Sequence, residues 1–298
     1  MSKQILSNLK LSLATLLTIH FVSFSVQAQN ELSTEQISDS IYVISGQGGN
    51  IGVLLGDDGT FMIDDKFPNL SQDIVAALES IGSGKPKYLL NTHFHGDHTG
   101  GNVYFGKGGA TIISHHNVRK RLAEGYSIPV FNNDTPPALP DALSKITYSS
   151  DMTLHLNEET IHIYHPPLAH TDGDSFVFFE NANVIHTGDL LFNGFFPFID
   201  VHNGGNVQGM INAANQMLNI ANDETKIIPG HGPMATPNDL VAFRDMLSVV
   251  QERLSSLKSE GKSADEAVAE KPLADLDEKW GDGFLPTDKW IKIIYDGI

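Results

Sequence analysis

One short stretch constrains the fold and the chemistry of this chain more than any other. Residues 91–101 read Asn-Thr-His-Phe-His-Gly-Asp-His-Thr-Gly-Gly. An apolar run at residues 88–90 precedes them and glycines follow, which predicts a buried strand that ends in a tight loop. The loop places four side chains that can bind metal within six residues: His93, His95, Asp97 and His98. The plain alternative is a polar loop that happens to be rich in histidine.

Three more candidate ligands come just after other predicted strands, and small residues flank each of them. They are His170 after Ala169, Asp189 after Gly188, and His231 between Gly230 and Gly232. Small neighbours let the backbone come close to a crowded site. Histidine nitrogen and carboxylate oxygen are usual ligands of zinc. Because the rest of the chain supplies these ligands, the sequence favours a metal site over a merely polar loop.

The candidates divide into two groups. Alternation at the end of the strand lets His93 and His95 point the same way, and His170 would complete a nitrogen-rich group with an open position. A second group would consist of Asp97, His98 and His231, and Asp189 could bridge the two. Two metals roughly 3.5–4 Å apart can share a hydroxide, and zinc lowers the pKa of its water to about 7. Hydrolysis would then need no nucleophilic side chain.

Composition limits the partners. The chain has 298 residues and is 41% hydrophobic, which suffices for a large core. Its formal charge of −17 disfavours nucleic acid and anionic membrane surfaces, both of which attract basic proteins. We therefore expect a small-molecule substrate, and the sequence indicates no oligomeric state.

The first 28 residues are typical of a secretory signal. Lys3 and Lys10 precede an apolar run over residues 11–26, and Val26-Gln27-Ala28 offers a cleavage site. A membrane anchor is the alternative, but the run is short for a span and its end is cleavable. The chain has no cysteine. We therefore predict signal cleavage, no membrane attachment afterwards, and a bacterial periplasmic or secreted protein without disulfides.

The remaining chain, residues 29–298, is predicted to form a single domain. After a loose polar lead-in over residues 29–39, an antiparallel meander precedes a helix over residues 70–81. Further helices are predicted over residues 115–124, 207–221 and 240–257, and near residues 290–295. Strands followed by helices, twice over, predict two packed sheets with helices outside. Residues 126–140 could be a surface loop or a wall of the site.

This pattern resembles the metallo-β-lactamase superfamily over most of residues 40–235. The matching motifs are the His-x-His-x-Asp-His run, His170, Gly188-Asp189 and Pro229-Gly230-His231-Gly232. The resemblance implies an α+β fold, a four-layer αβ/βα sandwich, with a site for two Zn²⁺ ions between the sheets. It implies that Asp97 also orients the attacking water and that Asp189 bridges the metals. The ligands would be His93, His95 and His170 for one metal, and Asp97, His98 and His231 for the other. Iron or manganese in part of the population is an alternative.

Several enzymes of that superfamily are candidates. Secretion favours a zinc hydrolase of the β-lactamase kind, which opens an amide or ester bond with a metal-bridging hydroxide. Phe192 stands where many of the cysteine-ligand β-lactamases have a lysine, and a short glycine turn at residues 46–50 replaces their flap. A thioesterase or lactonase is the alternative, although the acidic residues 259–298 do not resemble the basic helical domain of glyoxalase II. A non-catalytic periplasmic metal-binding protein is the alternative outside enzymes.

The other histidines after the signal are predicted to have surface or core roles. They are His115, His116, His155, His162, His165, His186 and His202. The aromatic run Phe195-Phe196-Pro197-Phe198 precedes His202. It could be a core strand or an apolar wall for the substrate.

Overall fold

The computed structural model describes residues 32–298, so the predicted signal at residues 1–28 lies outside the described residues. The strands in chain order are β1 Ser33–Gln36, β2 Ile41–Ser45, β3 Ile51–Leu54, β4 Phe61–Ile63, β5 Tyr88–Asn91, β6 Thr111–His115, β7 Tyr126–Ile128, β8 Asn133–Thr135, β9 Ile146–Tyr148, β10 Met152–Leu156, β11 Glu159–Tyr164, β12 Phe176–Phe179, β13 Val184–His186 and β14 Lys226–Ile228. The α-helices are α1 Ser71–Ser80, α2 Gly96–Thr99, α3 Asn102–Lys107, α4 His116–Glu124, α5 Val207–Ile220, α6 Pro237–Ser259, α7 Ala264–Ala269, α8 Ala274–Trp280 and α9 Thr287–Ile294.

Two large sheets organise the described chain. The first has the order β1-β2-β3-β4-β5-β6-β9 and the second the order β10-β11-β12-β13-β14. Strands β2, β3 and β4 form the predicted antiparallel meander, whereas β4, β5, β6 and β9 run parallel. In the second sheet β13 and β14 are also parallel. Parallel strands end at one edge of a sheet, and the loops that follow β5, β13 and β14 carry most of the candidate ligands.

The core lies between the sheets. Phe61 and Leu90 of the first sheet belong to the same buried cluster as Ile161 and Phe179 of the second. The rings of Phe61 and Phe179 meet edge to face with centroids 6.5 Å apart. Such interdigitation of two inner faces is what an alternating strand pattern requires.

Helices cover the outer faces of both sheets. On the first sheet α1 packs Ile74 and Leu78 into an apolar cluster that α3 completes with Phe105. On the second sheet the cover includes α5 and α6, through residues such as Met210 and Phe243. The order helix, sheet, sheet, helix confirms the predicted four-layer αβ/βα sandwich. Every helix within residues 32–298 is too short or too polar to cross a lipid bilayer.

The structure has strands that the sequence did not predict at two segments. Ser33–Gln36, predicted as a loose lead-in, forms the edge strand β1 and pairs with β2. All four of its side chains are exposed, so its backbone pairing leaves no hydrophobic alternation to detect. Residues 126–140 contain a small hairpin, because β7 pairs antiparallel with β8.

Candidate metal centre

The candidate ligands converge between the two sheets. His93 and His95 lie just beyond the end of β5, and the short helix α2 carries Asp97 and His98. His170 comes from the loop that joins β11 to β12, while Asp189 and His231 follow β13 and β14. The first sheet thus supplies four of the seven side chains and the second sheet supplies three.

The first group consists of His93, His95, His170 and Asp189. One ligand atom from each lies within 4.8 Å of the others, and all four residues are buried. His95 Nδ1 and His170 Nε2 are 2.9 Å apart. Asp189 Oδ2 lies 3.4 Å from His170 Nε2 and 3.7 Å from His93 Nε2.

Hydrogen bonds at the far side of two rings fix which nitrogen faces inward. His95 Nε2 donates to the carboxylate of Asp200 at 3.0 Å, and His170 Nδ1 donates to the Phe198 carbonyl at 2.7 Å. A neutral imidazole has one donor and one acceptor nitrogen, so the two nitrogens that face each other are both acceptors. Two lone pairs at 2.9 Å repel unless a cation lies between them.

The same reasoning applies to His93. The Thr92 hydroxyl donates to Asp64 Oδ2 at 2.7 Å, so it accepts from His93 Nδ1 at 3.1 Å. That leaves His93 Nε2 as an acceptor, and it is buried without a hydrogen-bond partner. Buried polar atoms are nearly always paired. An orphaned acceptor at this position fits a metal ligand.

The second group consists of Asp97, His98 and His231, with ligand atoms within 4.8 Å of one another. His98 Nδ1 donates to Asp64 at 2.7 Å, which turns its Nε2 toward the other candidate ligands. That atom is 3.0 Å from Asp189 Oδ1 and 3.4 Å from His231 Nε2. Asp189 Oδ1 is buried and accepts no hydrogen bond. Asp189 therefore directs one oxygen at each group, the arrangement expected of a shared ligand.

Electrostatics distinguish the two groups. Burial lowers the pKa of His170 to about 4, although Asp189 opposes the shift. Burial would also lower the pKa of His231, but the carboxylates of Asp189 and Asp97 outweigh it and raise the pKa to about 9. Burial would raise the pKa of Asp97, yet His98 and His231 hold it at about 2. In the second group the histidines and the carboxylates thus stabilise each other's charged forms.

The structure brings together all seven residues that the sequence singled out. Nitrogen and carboxylate donors without thiolate suit Zn²⁺ as ligands. The other seven histidines of the described chain belong to neither group. His186, for example, is buried and bonds the Asn50 carbonyl at 3.1 Å. His202 is exposed and, with Phe198, lines a cavity of about 390 Å³.

Sequence reasoning missed the residues that hold the ligands. Asp64 accepts hydrogen bonds from both Thr92 and His98. It directly follows β4, so the strand-end position that identified the ligands could have identified it too. Asp200 lies in irregular chain between β13 and α5, and no comparable signal marks it.

The glycine turn at residues 46–50 packs against the second group. The buried ammonium of Lys66 donates to the Gly49 carbonyl, and the Asn50 amide donates to the carbonyls of Pro229 and Gly232, both at 3.0 Å. A Cβ on Gly49 would lie 2.1 Å from Cε1 of His98. The turn therefore fixes the positions of His98 and the His231 loop, and it depends on glycine at position 49.

Comparison with known proteins agrees with the geometry. Residues 44–231 match the family described as the metallo-beta-lactamase superfamily. A hydroxyacylglutathione hydrolase of Polaromonas sp. is 31% identical over 146 residues. The match covers 48% of this chain and 47% of that enzyme, so the chain spans about half the length of this relative.

Solved structures show the same fold. A metallo-beta-lactamase from Pontibacter korlensis superposes with a TM-score of 0.60 at 15% identity, over 73% of this chain and 99% of that one. The DIM-1 metallo-beta-lactamase superposes with a TM-score of 0.58 at 15% identity, over 74% of this chain and 98% of that one.

Proposed function

This chain belongs to the metallo-β-lactamase superfamily, and from that membership we propose that it is a secreted, dinuclear zinc hydrolase that opens an amide or ester bond. The proposal rests on the convergence of ring nitrogens and carboxylate oxygens from seven side chains, with Asp189 shared between the two groups. Zinc in these positions would supply a nucleophilic water near neutral pH. The signal-like N-terminus supports export to the periplasm, where β-lactams are natural first substrates to test.

Each side chain has a role in this proposal. One zinc ion would be held by His93, His95 and His170, and the other by Asp97, His98 and His231. The hydrogen bonds from His95 to Asp200 and from His98 to Asp64 keep the ligating lone pairs directed inward. Asp97 has a pKa of about 2, so it is ionised at neutral pH and can accept a hydrogen bond from the attacking water.

The substrate approaches from the side of the second group. The side chains of Asp97 and His231 are 23% and 22% exposed, whereas those of His93, His98, His170 and Asp189 are 4% exposed or less. Phe192 stacks on the His231 ring with centroids 5.0 Å apart. An aromatic side chain there offers no charge to a substrate carboxylate. Carboxylate binding would therefore have to come from elsewhere in the chain.

Thioester hydrolysis is the second candidate. The relative of this chain named hydroxyacylglutathione hydrolase aligns over 146 residues, and this match supports a thioesterase. The same centre could attack either kind of carbonyl, so only substrate profiling separates the two.

The proposal is tested with residues 29–298 loaded with zinc. We expect kcat/KM above about 10⁴ M⁻¹s⁻¹ on a chromogenic cephalosporin or on an acyl thioester, the range of ordinary enzymes. Asp97→Asn should abolish the hydrolysis while the zinc ion of the first group remains bound. The exposed Asp223→Asn serves as the matched control and should keep full activity. Bound metal without any metal-dependent hydrolysis would favour the non-catalytic metal-binding alternative.

A further inference from the structure

Four phenylalanines form an aromatic surface beside the candidate metal centre, which we name the aromatic rim: Phe131, Phe195, Phe198 and Phe284. The ring of Phe198 lies 5.7 Å from that of His95 and 5.8 Å from that of His170. Phe131 is 5.0 Å from Phe198 and 6.3 Å from Phe284, measured between ring centroids. The rim therefore leads from the first ligand group to the surface.

The rim also borders the second group. Phe195 is 5.7 Å from Phe192, the ring that stacks on His231. The turn that carries Phe284 packs on Phe195, because a Cβ on Gly283 would lie 3.2 Å from the Phe195 Cβ. Three separate segments thus contribute to one continuous aromatic surface: the turn between β7 and β8, the chain after Asp189, and the turn between α8 and α9.

The outer part of the rim is open to solvent. Phe284 is 58% exposed and Phe131 is 39% exposed. Single exposed apolar side chains are ordinary, but a contiguous patch that runs into a site marks a binding surface. Covering these rings would remove apolar area from water, which is favourable.

A positively charged side chain lies at the outer end of the aromatic rim. Lys289, in α9, places its Nζ 5.6 Å from the centroid of the Phe131 ring. The whole chain has a formal charge of −17, so its average field repels anions. Lys289 supplies a positive charge beside the aromatic surface, on the path that leads outward from the candidate metal centre.

We propose that the aromatic rim binds an apolar body of the substrate and that Lys289 binds an anionic group at the end of that body. The substrate class is an ester, thioester or amide, cyclic amides included, with an aromatic or long apolar portion that ends in a carboxylate. The inference rests on the proposed function for the bond that breaks. The binding of an apolar anion to the rim does not require turnover.

Binding is measured first, with 8-anilinonaphthalene-1-sulfonate, a fluorescent aromatic anion, and the zinc-loaded protein. Phe284→Ala should raise the dissociation constant about tenfold and Lys289→Gln about threefold, because each removes one of the two attractions. Ile146→Ala and Lys107→Gln are the matched controls. Ile146 is 40% exposed on β9, and Lys107 is exposed at the end of α3. Equal affinity for the dye in Phe284→Ala, Lys289→Gln and the wild type would overturn the inference.

Selectivity is measured second, as the ratio of kcat/KM on the mono-4-nitrophenyl ester of suberate to that on 4-nitrophenyl acetate. Phe284→Ala should lower the ratio about tenfold. Lys289→Gln should lower this ratio too. It should leave unchanged the ratio of kcat/KM on 4-nitrophenyl octanoate to that on 4-nitrophenyl acetate, because octanoate lacks the second carboxylate. Ratios that do not move in either variant would contradict the inference. A third outcome separates the two proposals. If no ester, thioester or amide is hydrolysed but Phe284→Ala and Lys289→Gln still bind the dye more weakly than the wild type, the proposed function is wrong and the binding surface is supported.

Discussion

At the residue scale, the candidate metal centre depends on side chains that are not among its seven candidate ligands. Asp64 accepts from His98 at 2.7 Å, and Asp200 accepts from His95 at 3.0 Å. Each bond places a proton on the outer nitrogen of one imidazole and turns the inner nitrogen toward the other candidate ligands. Partners of this kind orient metal ligands and increase their basicity.

Replacing Asp200 by Asn tests this role. The amide oxygen can still accept a hydrogen bond, but the negative charge beside His95 is gone. We expect the zinc affinity of the first group to fall about 10- to 100-fold, while the second group changes little. Titration with zinc in a competing chelator measures both constants. An unchanged zinc dissociation constant for the first group would show that Asp200 does not act through His95.

The close approach of Gly49 to His98 leads to a prediction about zinc affinity. A Cβ there would meet the His98 ring at 2.1 Å, so Gly49→Ala must displace either the ring or the turn. We expect at least a tenfold loss of zinc affinity at the second group, since ligand geometry tolerates only about 0.5 Å of error. Gly84→Ala is the matched control, because nothing lies within 4 Å of its Cβ. The same loss in both variants would exclude a specific contact with His98.

At the element scale, local signals predicted most helices and strands, and tertiary pairing decided the rest. The predicted helix over residues 240–257 begins earlier, at Pro237, because Thr236 and Asp239 form a capping box. That signal is local and could have been used. By contrast, β1 has four exposed side chains and exists through its pairing with β2, which no periodicity reveals. The candidate ligands were predictable because they come after strands and the three later ones have small neighbours, whereas Asp200 was not.

The histidine before α4 leads to a prediction about how stability depends on pH. His115 caps this helix by accepting from the Asn117 N–H at its Nδ1, which requires the unprotonated ring. Burial, together with the neighbouring His165, lowers its pKa from 6.5 to about 4. Between these values the unfolded chain binds the proton and the folded chain does not, so stability is full above pH 6.5 and is lost as the pH falls toward 4.

His115→Asn keeps a capping acceptor that does not titrate. Urea unfolding of the metal-free protein should show the wild type losing roughly 1–3 kcal/mol relative to the variant between pH 6.5 and 4. Parallel losses in the two proteins would mean that His115 is not responsible. Working without metal removes the competition between protons and zinc from the comparison.

At the scale of the whole molecule, the ligand groups join the two sheets. The loop after β5 belongs to the first sheet, whereas His170, Asp189 and His231 belong to the second. Metal bound here would link them at one edge of their shared core. A ligand that binds only the folded state stabilises it by mass action, by about 4 kcal/mol at 1,000 times its dissociation constant.

Chelation should therefore lower the melting temperature by about 10 °C for a protein of this size. The double variant His170→Ala, His231→Ala, which removes one ligand from each group, should melt at the same temperature with and without chelator. Calorimetry at several free zinc concentrations measures both. A wild type whose melting does not respond to zinc would show that the groups do not hold metal in the folded state.

The zinc content of residues 29–298 and of His231→Ala, measured by elemental analysis after loading and desalting, tests the two-site account most directly. We predict two zinc ions per chain in the wild type and one in the variant, because His231 belongs only to the second group. One zinc ion or none in the wild type, or loss of both in the variant, would contradict two separate groups that share Asp189.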